Sequence, residues 1–349
     1  MSLSNNISNK KFCRDLFLTD IEKAAYDALC RSVAFRSQSA DVPLDLTDNQ
    51  FQKIFLFFYF DNPQFYYVNF SRKLDHGDGL VHFDNITPYY IPDYPKEYFE
   101  IIDSIVNQLK EETKEMNDYD KAFHIFSFLA HKCFYDNDAF RDANCSNPQI
   151  RDENLASFNL IGPLVHSKGV CQGLAIAYLY LLFECGVESY IQRCDLDKVS
   201  HCFNVVILKT EEGEKKINVD LTLSVKKEEH GIGPVGRMVY PVTTWGFGVS
   251  NDTLRNLKYV FYDPTIESDG SLSYLKLNNL EFNELPDVRK YIRKLEHHHA
   301  AISLRYDGDY SEERMKQFLL QIAYDHGFKG TVIISSPPFY TLYGGDLYE

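Results

Sequence analysis

Ser167-Lys-Gly-Val-Cys-Gln-Gly-Leu-Ala-Ile-Ala-Tyr-Leu-Tyr-Leu-Leu-Phe-Glu-Cys-Gly186 decides how the rest of the chain is read. Gly169 marks a tight turn that delivers Cys171 to the start of a helix. Over 174–183 nearly every position is apolar or tyrosine, which predicts a helix buried on all faces. The run is shorter than the roughly 20 apolar residues that span a bilayer. Gly186 supplies the left-handed residue that closes such a helix. A thiol at the first turn sees the positive end of the helix dipole, which favours the nucleophilic thiolate. Cys171 is therefore a candidate nucleophile. Taken alone, it is described slightly better as a small buried hydrophobe, the usual state of a free cysteine.

The chain downstream changes that balance. Residues 189–193 suit a strand, and His201-Cys-Phe-Asn-Val-Val-Ile-Leu208 is β-branched and apolar. After a short polar turn centred on Glu211–Glu212, Lys215-Lys-Ile-Asn-Val-Asp-Leu-Thr222 forms a second strand. Two such strands around a short loop predict an antiparallel hairpin. In that hairpin His201 and Asp220 lie nearly opposite each other, within a residue or two. A carboxylate beside a histidine fixes the imidazole tautomer and stabilises its charged form. With the Cys171 helix set against the hairpin, the three residues make a nucleophile, a base and an orienter.

Gly169-Val-Cys-Gln-Gly173, His201-Cys-Phe-Asn204 and Asn218-Val-Asp-Leu-Thr222 resemble the three blocks of the transglutaminase-like (transglutaminase core) superfamily. The likeness is strongest over 119–222. Asp61-Asn-Pro-Gln-Phe65 is similar to bacterial members that carry a helical N-terminal region. The resemblance implies a papain-like core: a cysteine-bearing helix packed on an antiparallel sheet. It implies Cys171 as nucleophile, His201 as general base and acid, and Asp220 as orienter. The implied chemistry is acyl transfer from peptide or protein amides through a thioester. Water as acceptor gives a peptidase or amidase; an amine gives crosslinking. A non-catalytic binding module that keeps the fold and cleft is the alternative.

The chain departs from the family's pattern at several points. Leu174 stands where an aromatic is common, Cys202-Phe203 where Ala-Trp is common, and Leu221-Thr222 where Pro-Thr often follows the acid. A literal Asp263-Pro-Thr265 occurs later and competes with Asp220 for the orienting role. Asp220 is preferred, because the hairpin carries it to His201. The single tryptophan, Trp245, lies downstream of Cys171, so no upstream tryptophan is present to help bind an oxyanion.

Composition bounds the remainder. At 349 residues with 44% hydrophobic content, the chain is expected to form an α+β protein. A mainly helical region over 1–115 precedes a catalytic core over 116–265. A small α/β extension, strand, helix and strand, follows over 266–349. Helices are expected at 19–36, 48–60, 96–115, 119–131 and 285–298, a strand over 256–262, and a polar surface loop over 136–154. A net charge of −14 disfavours nucleic acid as a partner. No transmembrane run or signal-peptide pattern is visible, so a soluble cytoplasmic protein with a peptide or protein partner is expected. Oligomeric state is left open. Eight scattered cysteines without a C-x-x-C pair argue against a disulfide scaffold or a zinc ribbon, and no cofactor or metal is expected. His297-His-His299 cannot converge from consecutive helical positions. Cys202 is assigned to the core, Cys185 and Cys194 to buried thiols, Asp75-His-Gly-Asp78 to a turn, and His166 is a weak candidate for the cleft wall.

Overall fold

Caps and apolar spacing set the first helices. This computed structural model describes residues 11–35, 40, 42, 46–65, 68–75, 82–90, 95–144, 152–230, 237–240, 243–262, 267–294, 301–327 and 332–343. Phe12–Phe17 (α1), Asp20–Ala34 (α2) and Asp48–Asp61 (α3) come first. Thr47 accepts from the Gln50 amide, and the Gln50 side chain accepts from the Thr47 amide at 2.9 Å. This reciprocal cap satisfies donors that the first turn of α3 cannot. At its other end the buried Asp61 accepts from the Cys13 and Arg14 amides, at 2.8 and 3.0 Å, and from the Tyr26 hydroxyl at 3.1 Å. One carboxylate thus holds α1 and α2 to the end of α3. Burial pushes its carboxyl up to about 6.

Val68–Asp75 (β1) and His82–Tyr90 (β2) pair antiparallel. Lys96–Thr113 (α4) turns Ile102, Ile105, Val106 and Leu109 inward, and Asp118–Lys132 (α5) turns in Ala122, Ile125, Phe126 and Leu129. Phe134–Tyr135 (β3) follows, then Asn137–Asn144 (α6) and Asp152–Leu155 (α7). The surface loop expected over 136–154 therefore contains helices. Asp136 explains the difference. It is buried, accepts from the Ala139 amide at 3.0 Å, and so starts a helix where its polarity suggested a solvated turn.

Lys168–Gly169 (β4) pairs in parallel with β3 and leads into Cys171–Glu184 (α8). Every residue of α8 from Gly173 to Leu182 is buried, as its all-round apolar sequence requires. Gly186 closes it at φ 78°. Gly173 carries a different burden. A Cβ there would overlap the carbonyl oxygen of Ser157, so the first turn of α8 presses directly on the turn Ala156–Phe158.

The hairpin follows. Glu188–Leu196 (β5), Val199–Thr210 (β6) and Gly213–Val219 (β7) pair in sequence, with Asn204 opposite Val219. Lys227–His230 (β8) and Arg237–Tyr240 (β9) form a separate ribbon. Phe247–Val249 (β10), Asn251–Asn256 (α9) and Tyr259–Phe261 (β11) complete the region. The strand expected over 256–262 is shorter, because α9 runs to Asn256 behind its Ser250 cap. The sheet is antiparallel throughout, in the order β10-β7-β6-β5-β11. Side chains of β6 alternate. Cys202, Val206 and Leu208 join the cluster around α8, while Phe203, Val205 and Ile207 join a second cluster with Trp245, Leu254 and Tyr259. Burial on both faces accounts for its unbroken apolar run.

Tyr274–Leu277 (α10), Glu281–Phe282 (β12), Leu285–Ile292 (α11), Ala301–Tyr306 (β13), Glu312–Asp325 (α12), Val332–Ser336 (β14) and Phe339–Tyr343 (β15) end the chain. Their sheet runs β12-β13-β15-β14. The expected strand, helix and strand are β13, α12 and β14. The sequence reading lacks β15, an interior strand, because Pro337-Pro338 before it signals a turn. Met315, Leu319 and Ile322 of α12 pack with Val288, Ile302 and Leu304 as a third cluster. The protein is thus α+β, with a cysteine-bearing helix on an antiparallel sheet. Among the described residues no helix is long and apolar enough to cross a membrane.

Candidate active site

Cys171 is the first residue of α8. Val170, its N-cap, contributes no side-chain acceptor, so the first-turn amides are left to whatever occupies the space before the helix. The helix start is held from several sides. The Val170 amide donates to Ser157 O at 3.1 Å, and Gln172 Nε2 donates to Phe158 O at 3.0 Å. From β6, Asn204 Nδ2 donates to Ala175 O at 3.0 Å. That last bond fixes the helix against the strand that carries His201. Ser167, with φ 58°, makes the turn that precedes them.

His201 and Asp220 meet. The ring Nε2 lies 2.7 Å from Asp220 Oδ2, and the two residues are 7% and 2% exposed. With Nε2 so occupied, Nδ1 is the nitrogen left to serve the Cys171 thiol, which lines the same cleft as the ring. Asp220 ends β7, where its amide donates to Gly246 O at 2.8 Å. A Cβ on Gly246 would overlap the Asp220 carbonyl oxygen, so the close approach of the two backbones requires glycine. The carboxylate is saturated. Tyr259 Oη donates to Oδ2 at 2.6 Å, the Thr222 amide donates to Oδ1 at 2.9 Å, and the Thr222 hydroxyl also donates to Oδ1. The Tyr259 ring stands edge-on to the imidazole, with centroids 5.4 Å apart.

The electrostatics follow from these contacts. Burial alone would raise the Asp220 carboxyl. The His201 charge and the Thr222 and Tyr259 donors hold it below the ordinary carboxylate range instead. Burial likewise opposes the imidazolium, but Asp220 and then Cys171 push His201 up to about 10. For Cys171 the largest influence is the neighbouring Cys202 thiol, which favours the thiolate. Burial opposes it, and His201 adds to it, so the thiol sits well below its usual range. Cys202 keeps its proton, held by Cys171 and by burial. The favoured state is a thiolate–imidazolium pair.

Cys171 and His201 open on a cleft of about 290 Å³, with Asp220 buried behind them. Tyr135, Phe140, Leu196, Val199 and Leu223 form its apolar walls, and Asn137, Ser200 and Thr222 its polar rim. No Asp, Glu, Lys or Arg is among the described residues that line it. Cys171 is half-buried at its floor.

Other expectations sort as follows. Cys202 is buried on the opposite sheet face from His201, in the core as expected, within the cluster against which Cys171 packs. Cys185 and Cys194 are buried free thiols in different clusters. His166 is exposed, stands against Tyr98, and does not line the cleft. Trp245 stacks on Phe339 with centroids 5.8 Å apart, away from the cleft. Asp263, Asp78 and His297–His299 lie outside the described residues. Among the described residues no group of three or more His, Cys, Asp or Glu is placed to hold a metal ion. Sequence reasoning did not find Tyr259, Thr222 or Gly246 as partners of Asp220. Only Thr222 was within sight, two positions along the same segment.

No protein-family model matches the chain, and no curated protein matches it. A solved structure described as "Crystal structure of a TGase" is similar at 16% sequence identity, with a TM-score of 0.32. The match covers 56% of this chain and 53% of that one, so the chain spans about half the length of that relative.

Proposed function

We propose that the protein is a cysteine-nucleophile acyl-transfer enzyme of transglutaminase-like type, acting on peptide or protein amides. The observation that carries this reading is His201, bonded to Asp220 through one ring nitrogen and lining one cleft with the half-buried Cys171. A binding cleft has no need of a thiol set beside a carboxylate-paired histidine. The apolar, largely uncharged walls suit an acyl group that is itself uncharged, such as a side-chain carboxamide or a backbone amide.

The steps follow from the geometry. The Cys171 thiolate attacks the carbonyl carbon, and the negative charge moves to the carbonyl oxygen. The Cys171 amide at the helix start donates to that oxygen. Tyr135 projects from β3 into the same cleft and serves as the second donor. The C–N bond then breaks, the leaving nitrogen takes the His201 proton, and a thioester remains on Cys171. Water or an amine, deprotonated by neutral His201, attacks the thioester and restores the thiolate–imidazolium pair. Asp220 holds the ring throughout. Tyr135→Phe is expected to lower kcat on the order of 10²-fold, the scale of one lost oxyanion donor, with a smaller change in KM. Steady-state kinetics on an amide-bearing peptide checks this.

Alkylation of Cys171 by iodoacetamide across pH tests the reading directly. The thiolate is expected well below the free-cysteine value of about 8.5 because of its Cys202 and His201 partners. Acyl transfer is expected to fall as pH passes about 10, where His201 loses the proton that the leaving nitrogen needs. In His201→Ala the alkylation curve should move up toward an ordinary thiol. A wild-type curve already centred near 8.5, and unmoved by His201→Ala, would sink the proposal.

A further inference from the structure

We propose that Tyr259 is a positioning residue for the reaction: from β11 it holds the Asp220 carboxylate on His201 and moderates its pull on the imidazole proton. The inference rests on the acyl-transfer reading and adds a residue to the same site.

The contacts are specific. Asp220 Oδ2 receives two donors, His201 Nε2 at 2.7 Å and Tyr259 Oη at 2.6 Å. Oδ1 receives the Thr222 amide at 2.9 Å and the Thr222 hydroxyl. An ionised carboxylate offers about four acceptor positions, so none is spare. Thr222 thus fixes the oxygen away from the histidine, and Tyr259 fixes the one that touches it. The Tyr259 ring also stands at 85° to the imidazole, with centroids 5.4 Å apart, and restricts how the histidine turns. Phe203 packs on the same tyrosine, with centroids 6.0 Å apart.

The chain is shaped to bring the phenol there. Tyr259 pairs with Leu196 of β5, and both β5 and β6 lie between β11 and β7, which Asp220 follows. Lys258, directly before it, is left-handed at φ 70°, a conformation uncommon without glycine. A buried tyrosine needs some partner for its hydroxyl. Here the partner is the atom that already holds the histidine, so the bond cannot form without altering the pair.

The coupling has a sign. A donor on the carboxylate stabilises its charge and lessens its hold on the imidazolium. The leaving nitrogen takes that same proton, and an imidazole gripped too tightly is a poorer acid. Few other groups compete. Around the ring stand Asp220, Tyr259, Cys171 from α8 and Tyr135 from β3. Cys194 lies opposite His201 on β5 and donates to its carbonyl oxygen at 3.7 Å, not to its ring.

Nitrogen NMR of His201 across pH reads the midpoint at which the ring loses its proton, with no reference to activity. Steady-state kinetics on an amide-bearing peptide run beside it. Tyr259→Phe keeps the ring and removes only the hydroxyl. The midpoint and the alkaline limb of kcat should both move up by about one unit, the scale of one hydrogen bond to a charged group. At neutral pH kcat should fall about 10-fold, with little change in KM. A ring-fluorinated tyrosine at position 259 donates more strongly and should move the midpoint the other way. It also decides the matter where circular dichroism shows that Tyr259→Phe does not fold. Variants that titrate at the wild-type midpoint overturn the positioning role, whatever their melting temperatures, because a tyrosine that only fills space changes stability alone. If the midpoint moves but the wild type turns over no amide, the coupling of Tyr259 to His201 stands and the acyl-transfer reading falls.

Discussion

Replacing Cys171 by alanine is expected to remove acyl transfer almost entirely, by about 10⁴-fold or more. No other described thiol lines the cleft, so nothing substitutes as nucleophile. The fold should survive. Cys171 is half-buried, and the helix start is fixed by Val170, Gln172 and Asn204 rather than by the thiol. Losing one small, partly exposed sulfur costs about 1 kcal/mol or less. The measurement is product release from an amide-bearing peptide beside a thermal melt of the same sample. Full activity with an unchanged melt would end the assignment of Cys171. Accumulation of a thioester in the wild type, seen as a mass adduct on the Cys171 peptide, is the positive counterpart.

Asp220→Asn is the second large effect. It is expected to cut kcat by about 10⁴-fold, because an amide no longer selects the tautomer that presents a basic nitrogen to the thiol. Unlike Cys171→Ala, it should also weaken the fold. Removing one partner of a buried, hydrogen-bonded charge pair costs about 3–5 kcal/mol. Here His201, Tyr259 and Thr222 all lose their acceptor or its charge. The pH dependence has a definite sign. Asp220 is held below its unfolded value of about 3.9, so its stabilising contribution is present above that pH and lost as pH falls through the lower folded value. His201 is raised, so its contribution is complete below about 6.5 and lost as pH rises through about 10. Urea denaturation of wild type and variant at pH 2.5, 7 and 10 measures both limbs. A variant that keeps wild-type kcat would return the orienting role to another residue.

The hairpin was legible in the sequence because its signals are local. A β-branched run, a short polar turn and a second run set the pairing, and the pairing alone brings Asp220 near His201. The cysteine helix was equally plain, since an apolar run closed by Gly186 has few other forms. What was hidden depends on distant chain. Tyr259 reaches Asp220 from 39 positions away, across a strand order that no single segment encodes. Gly246 matters only because its backbone lies against that of Asp220. Cys202 was placed on its correct sheet face, but alternation along a strand does not say which helix end lies beneath. Asp136 was missed for a local reason. A single acidic residue before Asn137 reads as a loop unless its burial is known.

The Asp220 contacts also bear on how such sequences are interpreted. Its amide is tied to Gly246, just before strand β10 at one edge of the sheet, and its carboxylate to Tyr259 of β11 at the other. One residue thus clasps both borders of the sheet, whatever happens in the cleft. A descendant chain that lost its chemistry would still need that clasp to fold. Cys171 serves no such structural end. Between two otherwise similar sequences, the aspartate vouches for the architecture, and the cysteine for the proposed chemistry.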